Sequence, residues 1–234
     1  MRTLVFRSAC LVAFMAVTAC APGNPVMLKD GATEGGMVPV RDSGMKDAWV
    51  RPDINLSNYH QILLLPTEVQ FRTVRPGAGT GLARSRDHEF EVLPADRQRL
   101  VDTFNEVVRE ELATSRHLTL TNTKGPEVLL VRISLTDIIS RVPPEGSGRT
   151  DIYLDEIGTA TLVLELLDGT SGEILVRAVD RRSVDAVDGL DGTGTVSKMT
   201  AVTVWSDVRR AARRFAAGVA RRIDQLYTRG RMPG

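Results

Sequence analysis

The chain has 234 residues, with 30 basic side chains against 29 acidic ones; 25% are charged and 42% hydrophobic. That composition belongs to a globular domain and excludes collagen, wholesale disorder and a polytopic membrane protein, while near-zero net charge argues against nucleic acid as a partner. Two cysteines are too few for a disulfide scaffold or a multi-cysteine metal site.

The first residues form an address. Arg2 and Arg7 precede Ala9 to Ala19, an uncharged and largely apolar run of 11 residues. Such a run is too short to span a membrane, which takes roughly 20 apolar residues. It ends in Val17-Thr18-Ala19-Cys20, which resembles the bacterial lipobox: an aliphatic residue, two small ones, then the acceptor cysteine. The resemblance implies cleavage between Ala19 and Cys20, with diacylglycerol on the thiol and an N-acyl chain on the new terminus. Cys10 is a poor rival, because Arg7 fills its aliphatic position. With Cys20 acylated and Cys10 removed, thiol chemistry drops out. Ala21 follows where an aspartate would favour inner-membrane retention, so the sorting rule of such lipoproteins implies the outer membrane, facing the periplasm.

Processing uncovers a charge asymmetry. From Val204 onward eight arginines face only Asp207 and Asp224, a balance of +6, and the rest of the mature chain holds 20 basic against 27 acidic groups. A basic C-terminal element thus sits on an acidic body.

Residues 20–48 are rich in Gly and Pro without an apolar period and are expected to be a lipidated flexible tether; the alternative is an arm packed on the domain. The domain is expected over 49–228, with 229–234 as a tail. Ile62 to Leu65, ended by Pro66, reads as a buried strand, and Val69 and Phe71 alternate with polar residues in a second strand or an extension of the first. Pro94 opens a helix over about Ala95 to Thr114, with Leu100, Val101, Phe104, Val107, Val108 and Leu112 on one stripe. Val128 to Ile139 alternates as a strand. Thr159 to Arg182 is a β-hairpin about Asp168-Gly169-Thr170-Ser171-Gly172. The last element is a helix over about Thr203 to Thr228. Trp205, Val208, Ala212, Phe215, Val219, Ile223 and Leu226 share one face, and Arg209, Arg210, Arg213, Arg214 and Arg221 the other. The order β-β-α-β-β-β-α predicts an α+β two-layer sandwich: one mixed, mostly antiparallel sheet with both amphipathic helices on one face.

Chemical motifs are scarce. Gly77, Gly79 and Gly81 lack the lysine and following helix of a phosphate loop. Asp185, Asp188 and Asp191 lack the alternation and closing Glu of a calcium loop. His60, His88 and His117 have no metal-ligand spacing, and there is no GxSxG elbow. No catalytic set, metal or cofactor is expected beyond the lipid on Cys20. The Arg face, with Arg210, Arg213, Arg214 and Arg221, is the candidate surface for anionic lipid or lipopolysaccharide. That surface is one alternative, and its own rival is a solvated face paired with the acidic body. The first expectation for the domain is the non-enzymatic binding or scaffolding of an envelope protein. A further alternative is a periplasmic hydrolase whose His, Ser and Asp residues meet only in space.

Trp49-Val50-Arg51-Pro52 with Leu56 to Pro66, Leu93-Pro94, Gly125-Pro126-Glu127-Val128-Leu129-Leu130 and Leu166-Leu167-Asp168 with Thr170, Gly172 and Glu173 form an ordered set completed by the Trp205-led helix. Together they resemble the bacterial lipoprotein family known as domain-of-unknown-function family 3313. That resemblance implies an envelope lipoprotein and no catalytic residues.

Overall fold

Three long strands carry the alternation that the sequence shows. The computed structural model describes residues 35–41, 43–74, 89–143, 156–185 and 201–229. The lipobox with Ala19 and Cys20, the glycines 77, 79 and 81, His88, Asp188, Asp191 and the tail from residue 230 lie outside them. β6 (Val128–Ser140), β7 (Glu156–Asp168) and β8 (Ile174–Asp185) form an antiparallel meander. On β6, Leu129, Val131, Ile133 and Leu135 point into the main core, while Leu130 joins a small cluster with Val128 and Leu167.

Along the free edge of β6 run β3 (Gln61–Leu64) and β4 (Glu68–Phe71), both parallel to it: Ile62 pairs with Leu129, Val69 with Leu135. They lie end to end, separated at Pro66, which has no N–H for the ladder; the second strand thus extends the first along the same neighbour. Two-residue β5 (Thr119–Leu120) pairs parallel with β3. At the other edge, β1 (Val38–Pro39) pairs with β2 (Asp47–Val50), and β2 with β8. The eight strands run β1-β2-β8-β7-β6-β3-β5, with β4 beside β6.

This is the expected α+β architecture, with three short strands added. β1, β2 and β5 are two to four residues long, too short to reveal a period of two. Two of them correct the tether. Within 20–48, the segment from Gly35 is part of the fold: Met37 and Ala48 are buried, and the Val40 amide donates to the Ala48 carbonyl at 2.8 Å. The packed-arm alternative describes this stretch. Its short length and its Gly and Pro residues hid strands held by cross-strand pairing.

Both helices cover the same sheet face. α1 (Pro94–Leu112) starts with Pro at its first turn and buries Phe104, Val107, Val108 and Leu112. α2 (Ala201–Arg229) buries Ala212, Ala216, Val219, Ala220 and Ile223. The two pack on each other, with Phe104 and Phe215 stacked at 5.9 Å and the Arg99 guanidinium 4.4 Å from the Trp205 ring centroid. One apolar cluster joins both helices to the inner faces of β3, β6, β7 and β8.

The β7–β8 turn is built around Asp168. Its Oδ1 accepts the Thr170 and Ser171 amides at 3.0 and 2.6 Å, and Gly172 takes the left-handed conformation at φ 72°. The buried Tyr59 hydroxyl donates to Asp168 Oδ2 at 2.8 Å. The Ser171 amide above all, then the Tyr59 and Ser171 hydroxyls and the Thr170 amide, hold the carboxyl below the usual carboxylate range, against the opposing effect of burial. A carboxylate with a lower pKa folded than unfolded adds stability above the unfolded value of about 3.9 and loses it as pH falls through the folded value. Asp168→Ala is therefore expected to cost about 1–3 kcal/mol at pH 7. In urea titrations the gap to wild type should shrink as pH falls below about 4; a gap unchanged at low pH contradicts this role.

Candidate functional site

Small side chains on facing layers leave space between them. α2 presents Ala211, Ala212 and Gly218 toward β7 and β8, whose inner faces carry Ala160 and Ala178. A cavity of about 1320 Å³ lies there. Its inner wall is apolar: Leu135, Leu162 and Leu164 from the sheet, Phe104 from α1, Phe215 and Val219 from α2. The space opens to the surface, and Arg41, Glu91, Asp96 and Arg99 also belong to its lining.

Gly218 marks it. The residue sits inside the 29-residue α2, where glycine costs roughly 1 kcal/mol relative to alanine. A Cβ built there meets nothing within 4 Å. Packing therefore does not demand a glycine, and any larger side chain would enter the cavity.

The mouth between β8 and α2 is rich in cations, whereas Glu91 and Asp96 belong to the lining at the start of α1. Arg182, Arg214 and Arg221 are exposed at that mouth, and Arg222 is half-buried beside them. Cross-strand pairing of Asp180 with Leu162 and Arg182 with Ala160 places both on the inner side of β8, continuing the parity of Ala178. Arg182 Nε lies 2.6 Å from Asp180 Oδ2, and its Nη2 donates to the Gly44 carbonyl at 3.2 Å. The Arg222 guanidinium occupies the space that a Cβ on Gly44 would need, where the β1–β2 loop turns with φ 65°. Burial first, then the like charges of Arg221 and Arg182, push the Arg222 pKa down; Asp180 alone opposes them.

The expected Arg face divides in two. Arg210 Nη1 donates to the buried Asp207 at 2.8 Å. Arg213 reaches Glu110 and Glu111 of α1 at 3.4 Å each, and Arg209 reaches Glu106 at 2.8 Å. The exposed pairs of Arg209 and Arg213 with α1 are those of a face paired with the acidic body, each worth roughly 0–1 kcal/mol, whereas Arg210 pairs within α2 itself. Arg214 and Arg221 have no hydrogen bond or ion pair among the described residues and line the cavity instead. Sequence reasoning missed Arg182, Arg222 and Gly218. The trace was there: Arg222 follows Phe215 by seven residues on an apolar stripe, and Asp180 and Arg182 fall on the core-facing parity of a strand.

The histidines do not converge on the cavity. His60 lies exposed beside β3, and His117 stacks on Tyr227 with ring centroids 4.9 Å apart. Asp185 closes β8. Among the described residues, no three His, Cys, Asp or Glu side chains are grouped as metal ligands, and no helix is long and apolar enough to cross a membrane.

Sheet, helices and cavity together define an α+β two-layer domain with a ligand-sized interlayer space. The chain belongs to the family described as protein of unknown function, DUF3313, whose model matches residues 36–219. No protein with a curated description matches the sequence. Among solved structures, the chain is similar to the XCC0632 protein of Xanthomonas campestris, of family DUF330, at 12% identity over 72% of this chain and 83% of that one, TM-score 0.38. The PelC dodecamer of Paraburkholderia phytofirmans matches at 7% identity over 73% and 96% of the chains, TM-score 0.32. The CT253 protein of Chlamydia trachomatis matches at 14% over 69% and 99%, TM-score 0.32.

Proposed function

We propose that this protein is an envelope lipoprotein, anchored through Cys20 at the outer membrane, whose periplasmic domain binds an acyl-chain ligand in the interlayer cavity and does no chemistry on it. One observation carries the reading: a largely apolar space of about 1320 Å³ between helices and sheet, left unfilled beside Gly218, where a Cβ would meet nothing within 4 Å. Sites for drug-sized ligands occupy about 300–1,000 Å³, so this one has room for a longer molecule. Each methylene moved from water into it contributes about 0.8 kcal/mol, before the cost of ordering the chain is subtracted.

Titration of the Cys20→Ser chain, which carries no anchor, with a fluorescent fatty-acyl probe tests the reading. Saturable binding at one site per chain, displaced by an unlabelled long-chain competitor, is the expected result. A folded chain that shows no saturable binding contradicts it.

A further inference from the structure

We infer that the cavity's ligand is an anionic amphiphile, whose headgroup is held at the mouth by Arg222 and Arg182, with Arg214 and Arg221 supplying surrounding positive charge. The inference rests on the acyl-binding reading and adds a headgroup class to it. Where β8 meets α2, four arginines of the lining gather about Asp180, which pairs with Arg182 and lies near Arg222, while the carboxylates of the lining itself, Glu91 and Asp96, lie at the start of α1. On the same helix Arg209, Arg210 and Arg213 each have a carboxylate partner, while Arg214 and Arg221, at the cavity, have none among the described residues.

Arg222 is the sharpest case. It is half-buried, flanked by Arg221 and Arg182, and backed by the Gly44 turn. Two cations brought together and partly desolvated repel one another, and a bound anion relieves both the repulsion and the lost hydration. Guanidinium forks suit carboxylate and phosphate oxygens alike. The shared ligand chemistry is therefore an oxyanion at the end of an acyl chain. The apolar wall begins past the Arg182–Asp180 pair: Arg182 lies opposite Ala160 and Asp180 opposite Leu162, and Leu164 with Ala178 and then Leu166 with Val176 continue inward. A headgroup at Arg222 and Arg182 thus directs its chain into the cavity.

The test compares probes of one chain length on the Cys20→Ser chain. Palmitate should bind at least about tenfold more tightly than hexadecanol, the scale of one charge-assisted hydrogen bond. Added salt should weaken palmitate and leave hexadecanol unchanged. The double variant Arg221→Gln/Arg222→Gln should lose about tenfold in palmitate affinity and hold hexadecanol within about twofold. Dipalmitoyl phosphatidylglycerol, tested beside palmitate, separates a lipid phosphate from a free fatty carboxylate as the source of the oxyanion: tighter binding of the one or the other names the source, and both outcomes support an anionic headgroup. Equal binding of palmitate and hexadecanol by the unmutated mouth overturns the headgroup site and leaves the acyl cavity standing. Binding of none of these probes to folded protein overturns both.

Discussion

Gly218→Phe is expected to weaken acyl-probe binding by at least about tenfold while leaving the domain folded and no less stable. Excluding two methylenes of ligand already forfeits about 1.6 kcal/mol, slightly more than the tenfold step of 1.4 kcal/mol. The site allows the substitution because a Cβ at Gly218 meets nothing within 4 Å and the residue lines the cavity. Gly218→Ala is the companion. It should raise stability by about 0.5–1 kcal/mol through helix propensity alone and change binding by less than about threefold. Urea denaturation and probe titration on both variants separate the two effects. If Gly218→Phe binds the probe like the unmutated chain, the ligand does not lie against α2. If Gly218→Ala is destabilised, the space beside that helix is not open.

Cys20→Ser is expected to move the protein from the membrane pellet to the soluble fraction. One acyl chain gives only marginal membrane binding, whereas diacylglycerol with an additional N-acyl chain anchors stably. Because the whole of the anchoring is assigned to that residue, the effect should be close to complete. The unmutated chain should incorporate labelled palmitate and accumulate as a precursor when the lipoprotein signal peptidase is inhibited. A Cys20→Ser chain that still sediments with membranes, alongside an unmutated chain that takes up no label, contradicts the anchor.

What could be read from sequence follows element length. The 13-residue β6 and β7, and helices of 19 and 29 residues, repeat their apolar pattern often enough to fix both type and buried face. The turn at Asp168 announced itself by composition, with Asp and two glycines between alternating strands. β1 and β5 span two residues each and have no period to read; they exist because β2 and β3 offer them partners.

The candidate site was less legible, for a different reason. A cavity is a property of two layers, made here by Ala178 and Ala160 facing Gly218 and Ala211, residues far apart in the chain. Sorting arginines by helical face grouped Arg210 and Arg213 with Arg214 and Arg221. Their separation is decided by where α1 places Glu110 and Glu111, and by Asp207 one turn before Arg210. Arg222 was overlooked because it lies on the apolar stripe with Phe215, where a cation is out of keeping with its neighbours. In retrospect that mismatch was the most informative local feature, since charge on a buried stripe calls for a partner.

The acyl cavity is tested most directly by native mass spectrometry of the Cys20→Ser chain purified from the envelope without detergent. The prediction is one acyl-bearing adduct per chain, recovered by solvent extraction and missing from Gly218→Phe prepared in parallel. A bare mass for the unmutated cavity, with no acyl material extracted and none bound on adding palmitate, would contradict it.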